Sequence, residues 1–511
     1  MPRKPMIKKK EKKTKSDSER QPRKQGRSFA RLRGMRDILF DEYKYWNLAK
    51  RKGSDIAKTY GFKEIDTPIL ESQDMYERST GKTSDIVTKE MYNFVDKGSE
   101  KVALRPEATP SLVRAYVEHG MFNLPQPVKM FWFGPLFRHD KPQSGRYRQF
   151  HQLDFEVFGE ESPVADSQLI LIAYNIFKEL QIDAQIQVNS IGCKDCRAQY
   201  VSKLLDFYKE RGKRTKLCND CKKRIVKNPL RLLDCKEDTC VNLREDAPQI
   251  VDSLCDGCRD HFMKVLEYLD ELDVPYNLNP YLVRGLDYYN KTVFEIYATD
   301  EDNARQSSLG GGGRYDELVE YMGGRPTPAC GFAIGMERMI LKIRDKNIPI
   351  KQDDVCDIFM AQLGDQSRRK SMVLFEELRR SGYNVRQAFT KDSLKSQLDE
   401  ANRLGVKWSL ILGQKELLDG TILMRDMESG IQEVVDFKKV KSEIDKRLNT
   451  NHSVLNGVPD LELINKERDE KEVKKIIKEN HAQEENDLVD NEEAFDSEPD
   501  SVYDDENTDL Y

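Results

Sequence analysis

No apolar run in this chain of 511 residues approaches the roughly 18 residues that a membrane-spanning helix needs, so no membrane association is expected. The first residues are basic but contain no apolar segment, which argues against a secretory leader. There is no internal repeat, and no βαβ fingerprint of a dinucleotide-binding sheet. Lysine and arginine are absent from Glu479 onward, where Asp and Glu abound. The first 33 residues are instead dominated by Lys, Arg, Ser and Pro. Neither end has the apolar content to offset the entropy of ordering, so both are expected to be disordered. The basic arm suits either nonspecific contact with RNA phosphates or a solubilising role, and the acidic end reads as solubilising. Over the whole chain, 84 Lys and Arg stand against 89 Asp and Glu, with 38% hydrophobic residues. That balance describes a globular, cytoplasmic chain of two or three domains.

The patterning predicts a basic arm over 1–32 and a body over 33–350, interrupted by a separate helical, Cys-rich block at 192–274. An α/β unit follows at 353–448, then the acidic segment 449–511. Within the body, Ile38 to Tyr60 has the period of an amphipathic helix, and Gly61 to Ser72 that of a strand broken at Pro68. LRPEATPSLVRAYVEHG runs from a strand end into a helix entered at Thr109-Pro110. Two aromatic-rich arms flank Gly134 to Arg148, and a helix follows near Pro163. Strands outnumber crossovers, so the fold class is α+β, an antiparallel sheet flanked by helices. GGGGRYD (Gly310 to Asp316) reads as a tight backbone turn before a helix.

The polar residues inside this framework carry the chemistry. Arg138 ends an apolar arm, so its stem would be buried and its fork aimed into a cleft. Gln152, Asp154 and Glu156 alternate at i, i+2, i+4 and share one face of a strand; with Phe150, Leu153, Phe155 and Val157 around them, that face should line a wet pocket. Glu107 and Thr109 show the same relation in RPEAT. YLVRGLDYY adds Arg284, Tyr288 and Tyr289, and on a regular strand only one of the tyrosines would reach a ligand. Phe150 is placed to stack on a base, and Arg338, on a helix after the strand GFAIG, to meet a nucleotide. Fixed guanidiniums beside buried carboxylates grip polyphosphate and a zwitterionic amino acid together. The combination points to ATP-driven activation of an amino acid.

Eight of the ten cysteines fall in the inserted block: Cys193 and Cys196, Cys218 and Cys221, Cys235 and Cys240, Cys255 and Cys258. Three CxxC pairs and one CxxxxC are spacings at which thiolates hold Zn2+, and eight thiolates suffice for two closed structural sites. Reduced packing cysteines are the alternative. Cys330 and Cys356 lie in apolar strand contexts and read as core thiols; His261 reads as a surface or packing residue.

GFKEIDTPILES, FRHDKPQSGRYRQFHQLDFEVFG and GFAIGMERMI resemble the three signature motifs of class II aminoacyl-tRNA synthetases. LRPEAT, LVRGLDYY and GGGGRYD are similar to elements of the histidyl-tRNA synthetase family, and the likeness runs from about Arg33 to Leu448. The resemblance implies formation of histidyl-adenylate from L-histidine and ATP with Mg2+, transfer of the histidyl group to tRNA(His), and a homodimer with the Pro68 strand at the interface. It implies that Glu107, Thr109 and Gln152 hold the α-ammonium, that Glu156 and Tyr289 bracket the imidazole, that Arg284 meets the carboxylate and α-phosphate, and that Ala108, Arg138 and Tyr288 also belong to the histidine site, with Arg138 and Arg284 catalytic. Arg138, Phe150, Arg284 and Arg338 would bind ATP. Two residues depart from the family pattern: Asp140 stands where Glu is usual and Lys141 where Arg is usual. The last domain resembles the anticodon-binding domain of these enzymes, with Lys370, Arg379, Arg386 and Lys391 as candidates for RNA phosphates. A regulatory paralogue that binds histidine without charging tRNA would lack that domain and commonly lose Arg138 or Arg284. A synthetase for proline, threonine or glycine would lack LVRGLDYY and Glu156.

Overall fold

A computed structural model describes residues 29–81, 84–210, 212–299, 308–348, 350, 356–389 and 393–448. The acidic segment, Lys391 and most of the basic arm lie outside these. The chain forms two compact units, Met1–Lys351 and Gln352–Tyr511.

In the first unit the strands are β1 (Lys63–Glu64), β2 (Leu70–Ser72), β3 (Asn93–Val95), β4 (Lys101–Leu104), β5 (Val128–Phe137) and β6 (Gln149–Phe158). Then follow β7 (Ala184–Ser190), β8 (Tyr276–Leu278), β9 (Asn290–Ala298), β10 (Gly310–Arg314) and β11 (Ala329–Gly335). Eight of them form one sheet in the order β1-β5-β6-β11-β10-β9-β7-β8, and β2-β4-β3 form a small second sheet. Only the outermost pairs, β1 with β5 and β7 with β8, are parallel. The two aromatic arms are β5 and β6, paired antiparallel from Val128↔Phe158 to Phe137↔Gln149.

Strand alternation divides the large sheet into a dry face and a wet one. Leu153, Phe155 and Val157 of β6 join Phe332 and Ile334 of β11 in one core. Helices Phe40–Thr59, Pro163–Glu179 and Met336–Asp345 cover that face through residues such as Trp46, Leu169 and Met339. The opposite face carries Gln152, Asp154 and Glu156.

The structure revises three expectations. Gly310–Arg314 is no turn but a strand in mid-sheet, paired on both edges. A β-carbon on Gly312 would lie 2.0 Å from the carbonyl oxygen of Gly331, so the glycines permit close approach between strands. The Cys-rich block is not separate: helix Asp256–Glu271 sends Phe262, Val265 and Leu269 into the core beneath the sheet. Helix Lys194–Lys209 places Tyr200 and Leu204 in a second core that also holds Tyr289 and Tyr315. Lastly, Tyr288 and Tyr289 precede β9, and their rings lie 4.7 Å apart. Strand alternation therefore does not separate them.

The second unit is α/β, with β12 (Ile358–Gln362), β13 (Val385–Gln387), β14 (Trp408–Leu412), β15 (Thr421–Asp426) and β16 (Gln432–Asp436) in the order β13-β12-β14-β15-β16. The first three are parallel and the last two antiparallel. Alternate β12 residues feed two cores, Ile358 and Met360 on one side and Phe359 and Ala361 on the other. Arg379 forks onto Glu376 through two 2.8 Å hydrogen bonds.

Candidate active site

Gln152, Asp154 and Glu156 face the small residues Gly335, Ala333 and Gly331 of β11 across the ladder. This leaves room for polar side chains on the wet face. A β-carbon at Gly331 would sit 1.5 Å from Glu156 Oε2, so glycine alone admits that carboxylate. Glu156 is 1% exposed and accepts from Thr109 Oγ1 at 2.7 Å and from the Tyr315 hydroxyl. Burial pushes its carboxyl up to about 8 despite those two donors.

The row opens into a cavity of about 550 Å³ that Glu107, Thr109, Arg138, Phe150, Arg284 and Arg338 also line, together with Tyr288 and Tyr289. Pro110 in the first turn of helix Thr109–Glu118 sets the chain direction there. The preceding strand end is held by buried Arg105, which donates to Pro135 O at 3.0 Å and stacks on Trp132. Glu107 is buried and accepts from the Tyr288 hydroxyl at 3.4 Å. Its Oε1 has no hydrogen-bond partner among the described residues. Burial raises this carboxyl to about 7, against the pull of Arg138 and Arg284. An unpartnered buried carboxylate oxygen beside a cavity suits an incoming ammonium. Ala108, between these residues, does not line the cavity; its methyl group packs in the core.

The guanidiniums are held by their own contacts. Arg138 Nε donates to Pro106 O at 2.7 Å, and its fork lies over the Phe150 ring. Arg284 pairs with Glu295, which also accepts from the Tyr297 hydroxyl. Burial works against the charge on Arg284, but Glu295 and the tyrosines outweigh it, so its proton is held more tightly than usual. Arg338 donates to Ser308 O, and burial with neighbouring Arg146 and Arg138 lowers its pKa. Cations crowded in this way favour a polyanion. Asp140, the shorter acid, pairs with Arg146 at 2.9 Å.

The cavity thus gathers guanidiniums, buried carboxylates and phenols in one space. A histidyl-tRNA synthetase family model matches residues 34–339, and an anticodon-binding-domain model matches 348–447. The chain belongs to the histidyl-tRNA synthetase family. The histidine–tRNA ligase of Natranaerobius thermophilus is 43% identical over 414 residues, covering 81% of this chain and 97% of that one. The Dehalococcoides mccartyi enzyme is 42% identical over 417 residues, 81% and 99% of the two chains. The crystal structure of apo S. aureus histidyl-tRNA synthetase superposes with a TM-score of 0.69 at 31% identity, covering 82% of this chain and all of that one.

Several residues in or behind the cavity wall escape the sequence patterns. Tyr315, in the GGGGRYD segment, anchors Glu156. Glu295 and Tyr297 alternate along β9 as Gln152 and Asp154 do along β6, a signal of the same kind. Arg231, Asp234 and Lys236 reach the cavity from the Cys-rich block, and no local pattern foretells that. The eight block cysteines fall into two groups, Cys193, Cys196, Cys255, Cys258 and Cys218, Cys221, Cys235, Cys240. His261 joins neither; its Nε2 lies 3.4 Å from Asp166 Oδ2.

Proposed function

We propose that this chain is a histidine–tRNA ligase that activates L-histidine with ATP and transfers it to the 3′ end of tRNA(His). The observation that carries the reading is Glu156 in one cavity with Tyr288, Tyr289, Arg138 and Arg284. An imidazole needs an acceptor and a donor, which a carboxylate and a phenol supply. Glu107, aided by Gln152, takes the α-ammonium; the Thr109 hydroxyl acts through Glu156. A carboxylate oxygen of histidine bonds to the α-phosphorus as the bond to the pyrophosphate oxygen breaks. Arg138 and Arg284 neutralise the charge that grows there, and Arg338 and Phe150 hold the nucleotide. A tRNA ribose hydroxyl then displaces AMP from the carbonyl carbon.

Mg2+ brought with ATP would offset the negative charge of the polyphosphate. No group of three carboxylates converges in the cavity among the described residues, so the ion would enter with ATP, held chiefly by phosphate oxygens. Exposed Leu70, Phe94 and Val95 on the small sheet, with Ile69 just before it, support a homodimer. No helix among the described residues is long and apolar enough to cross a membrane.

Amino-acid-dependent ATP–pyrophosphate exchange tests the assignment. Histidine alone should drive it; exchange driven by proline would end the proposal. Arg284→Ala should lower turnover by about 10²-fold or more, as loss of a transition-state cation does. Near-normal turnover would remove Arg284 from the chemistry.

A further inference from the structure

The two thiol groups are built alike but placed differently. In each, four sulfur atoms lie within 4.8 Å of one another. Tetrahedral zinc with Zn–S bonds of ~2.3 Å needs sulfurs ~3.8 Å apart. Cys218 and Cys235 sulfurs are 3.8 Å apart, and those of Cys193 and Cys196 are 3.5 Å apart, far beyond the ~2.05 Å of a disulfide. Backbone amides already point at the sulfurs: Cys221 N to Cys218 Sγ at 3.4 Å, Cys218 N to Cys240 Sγ at 3.3 Å, Cys255 N to Cys196 Sγ at 3.1 Å. Such donors stabilise thiolates around a metal.

The first group joins the starts of helices Lys194–Lys209 and Asp256–Glu271. The second sits behind the cavity wall. Cys235 lies between Asp234 and Lys236, both of which line the cavity. Four residues before it, Arg231 donates to Gly285 O at 3.2 Å, next to Arg284, and approaches Asp234 at 3.3 Å. Asn228 donates to Asp287 Oδ1 at 2.8 Å. The stretch from Cys221 to Cys240 is therefore clamped by thiols and presses on the segment that carries Arg284, Tyr288 and Tyr289.

We propose that Cys218, Cys221, Cys235 and Cys240 bind one zinc ion that positions the active-site wall, while Cys193, Cys196, Cys255 and Cys258 bind a second that anchors the inserted block. The metal sites stand on the cysteine geometry alone. The positioning role rests on the ligase reading above.

The full chain, purified under reducing conditions from zinc-containing medium, should carry about two zinc ions. Replacement with Co2+ should give the intense visible absorption of tetrahedral tetrathiolate sites. Little metal, protein disulfides, or a spectrum of fewer thiolates would overturn both sites. Cys235→Ser should lose about one zinc and lower kcat/KM for histidine-dependent exchange ~10- to 100-fold, the scale of an ångström-sized misplacement, mainly through KM. Cys255→Ser should also lose about one zinc but change kcat/KM far less. Equal kinetic losses, or none with Cys235→Ser, would overturn the positioning role. Should Cys235→Ser not fold, zinc stripped from the unaltered chain with 4-(2-pyridylazo)resorcinol and then restored should raise and reset the KM for histidine. An unmoved KM overturns the role. Absence of exchange in the unaltered chain would sink the ligase reading and the positioning role together, while metal content still decides the sites.

Discussion

Gly331 is the residue on which the ligand pocket turns. It is glycine because the Glu156 carboxylate occupies the space of a side chain. Gly331→Ala should displace Glu156 and its bonds to Thr109 and Tyr315, lowering kcat/KM for histidine by about 10²-fold; circular dichroism should show the fold intact. An alanine variant with unchanged kcat/KM would mean that Glu156 does not read the substrate. The buried acids also set a pH dependence. Glu107 and Glu156 have folded pKa values of about 7 and about 8, above the ordinary carboxylate value near ~4.3. The native state therefore binds extra protons; their stabilising contribution is full below about pH 4, is lost progressively as pH rises from there, and is gone once pH passes the folded values of about 7 and about 8. Thermal melts of the unliganded protein should show this loss, and Glu107→Gln with Glu156→Gln should flatten it.

At the scale of elements, what could be read in advance follows from side-chain patterning. β6 was legible because large apolar residues alternate with polar ones, β5 because it is a short, nearly unbroken apolar and aromatic run, and helix Phe40–Thr59 because Trp46, Ala49, Ile56 and Ala57 recur on one face. β10 was not, since GGGG has no side chains to alternate. Nor does the amphipathic face of helix Asp256–Glu271 say that its target is the core under the catalytic sheet. Long-range contacts of this kind decide stability. Asp166, on helix Pro163–Glu179, accepts from Arg314 Nε at 3.1 Å and so ties the glycine strand to the helix layer. Burial would raise the Asp166 carboxyl, but Arg314 and His261 outweigh it and hold it down at about 2. The pair's contribution is thus present above about pH 4 and lost as pH falls toward 2. Asp166→Ala leaves a buried guanidinium without its main partner and should cost about 3–5 kcal/mol, read from urea unfolding. A cost below about 1 kcal/mol would show that the remaining carbonyl contacts of Arg314 suffice.

Across the whole molecule, the described residues that line the cavity all belong to one unit. The last residue along the chain to line the cavity is Arg338, on helix Met336–Asp345, while the second unit has its own sheet and two cores. The activation step therefore needs nothing beyond residue 350, whereas a tRNA must be held at a distance from the reacting atoms. A chain ending at Ile350 should keep histidine-dependent pyrophosphate exchange within a few-fold of the full chain. Its charging of tRNA(His) should fall by about 10²-fold or more, because a second binding module on one ligand contributes avidity of that order. Residues 350–448 expressed alone should melt cooperatively, as two packed cores around one sheet require. If exchange vanished in a shortened chain whose circular dichroism remained native, activation would depend on the second unit, and the division of labour argued from the cavity would be wrong. If charging survived at full rate, the second unit would have no part in holding the tRNA.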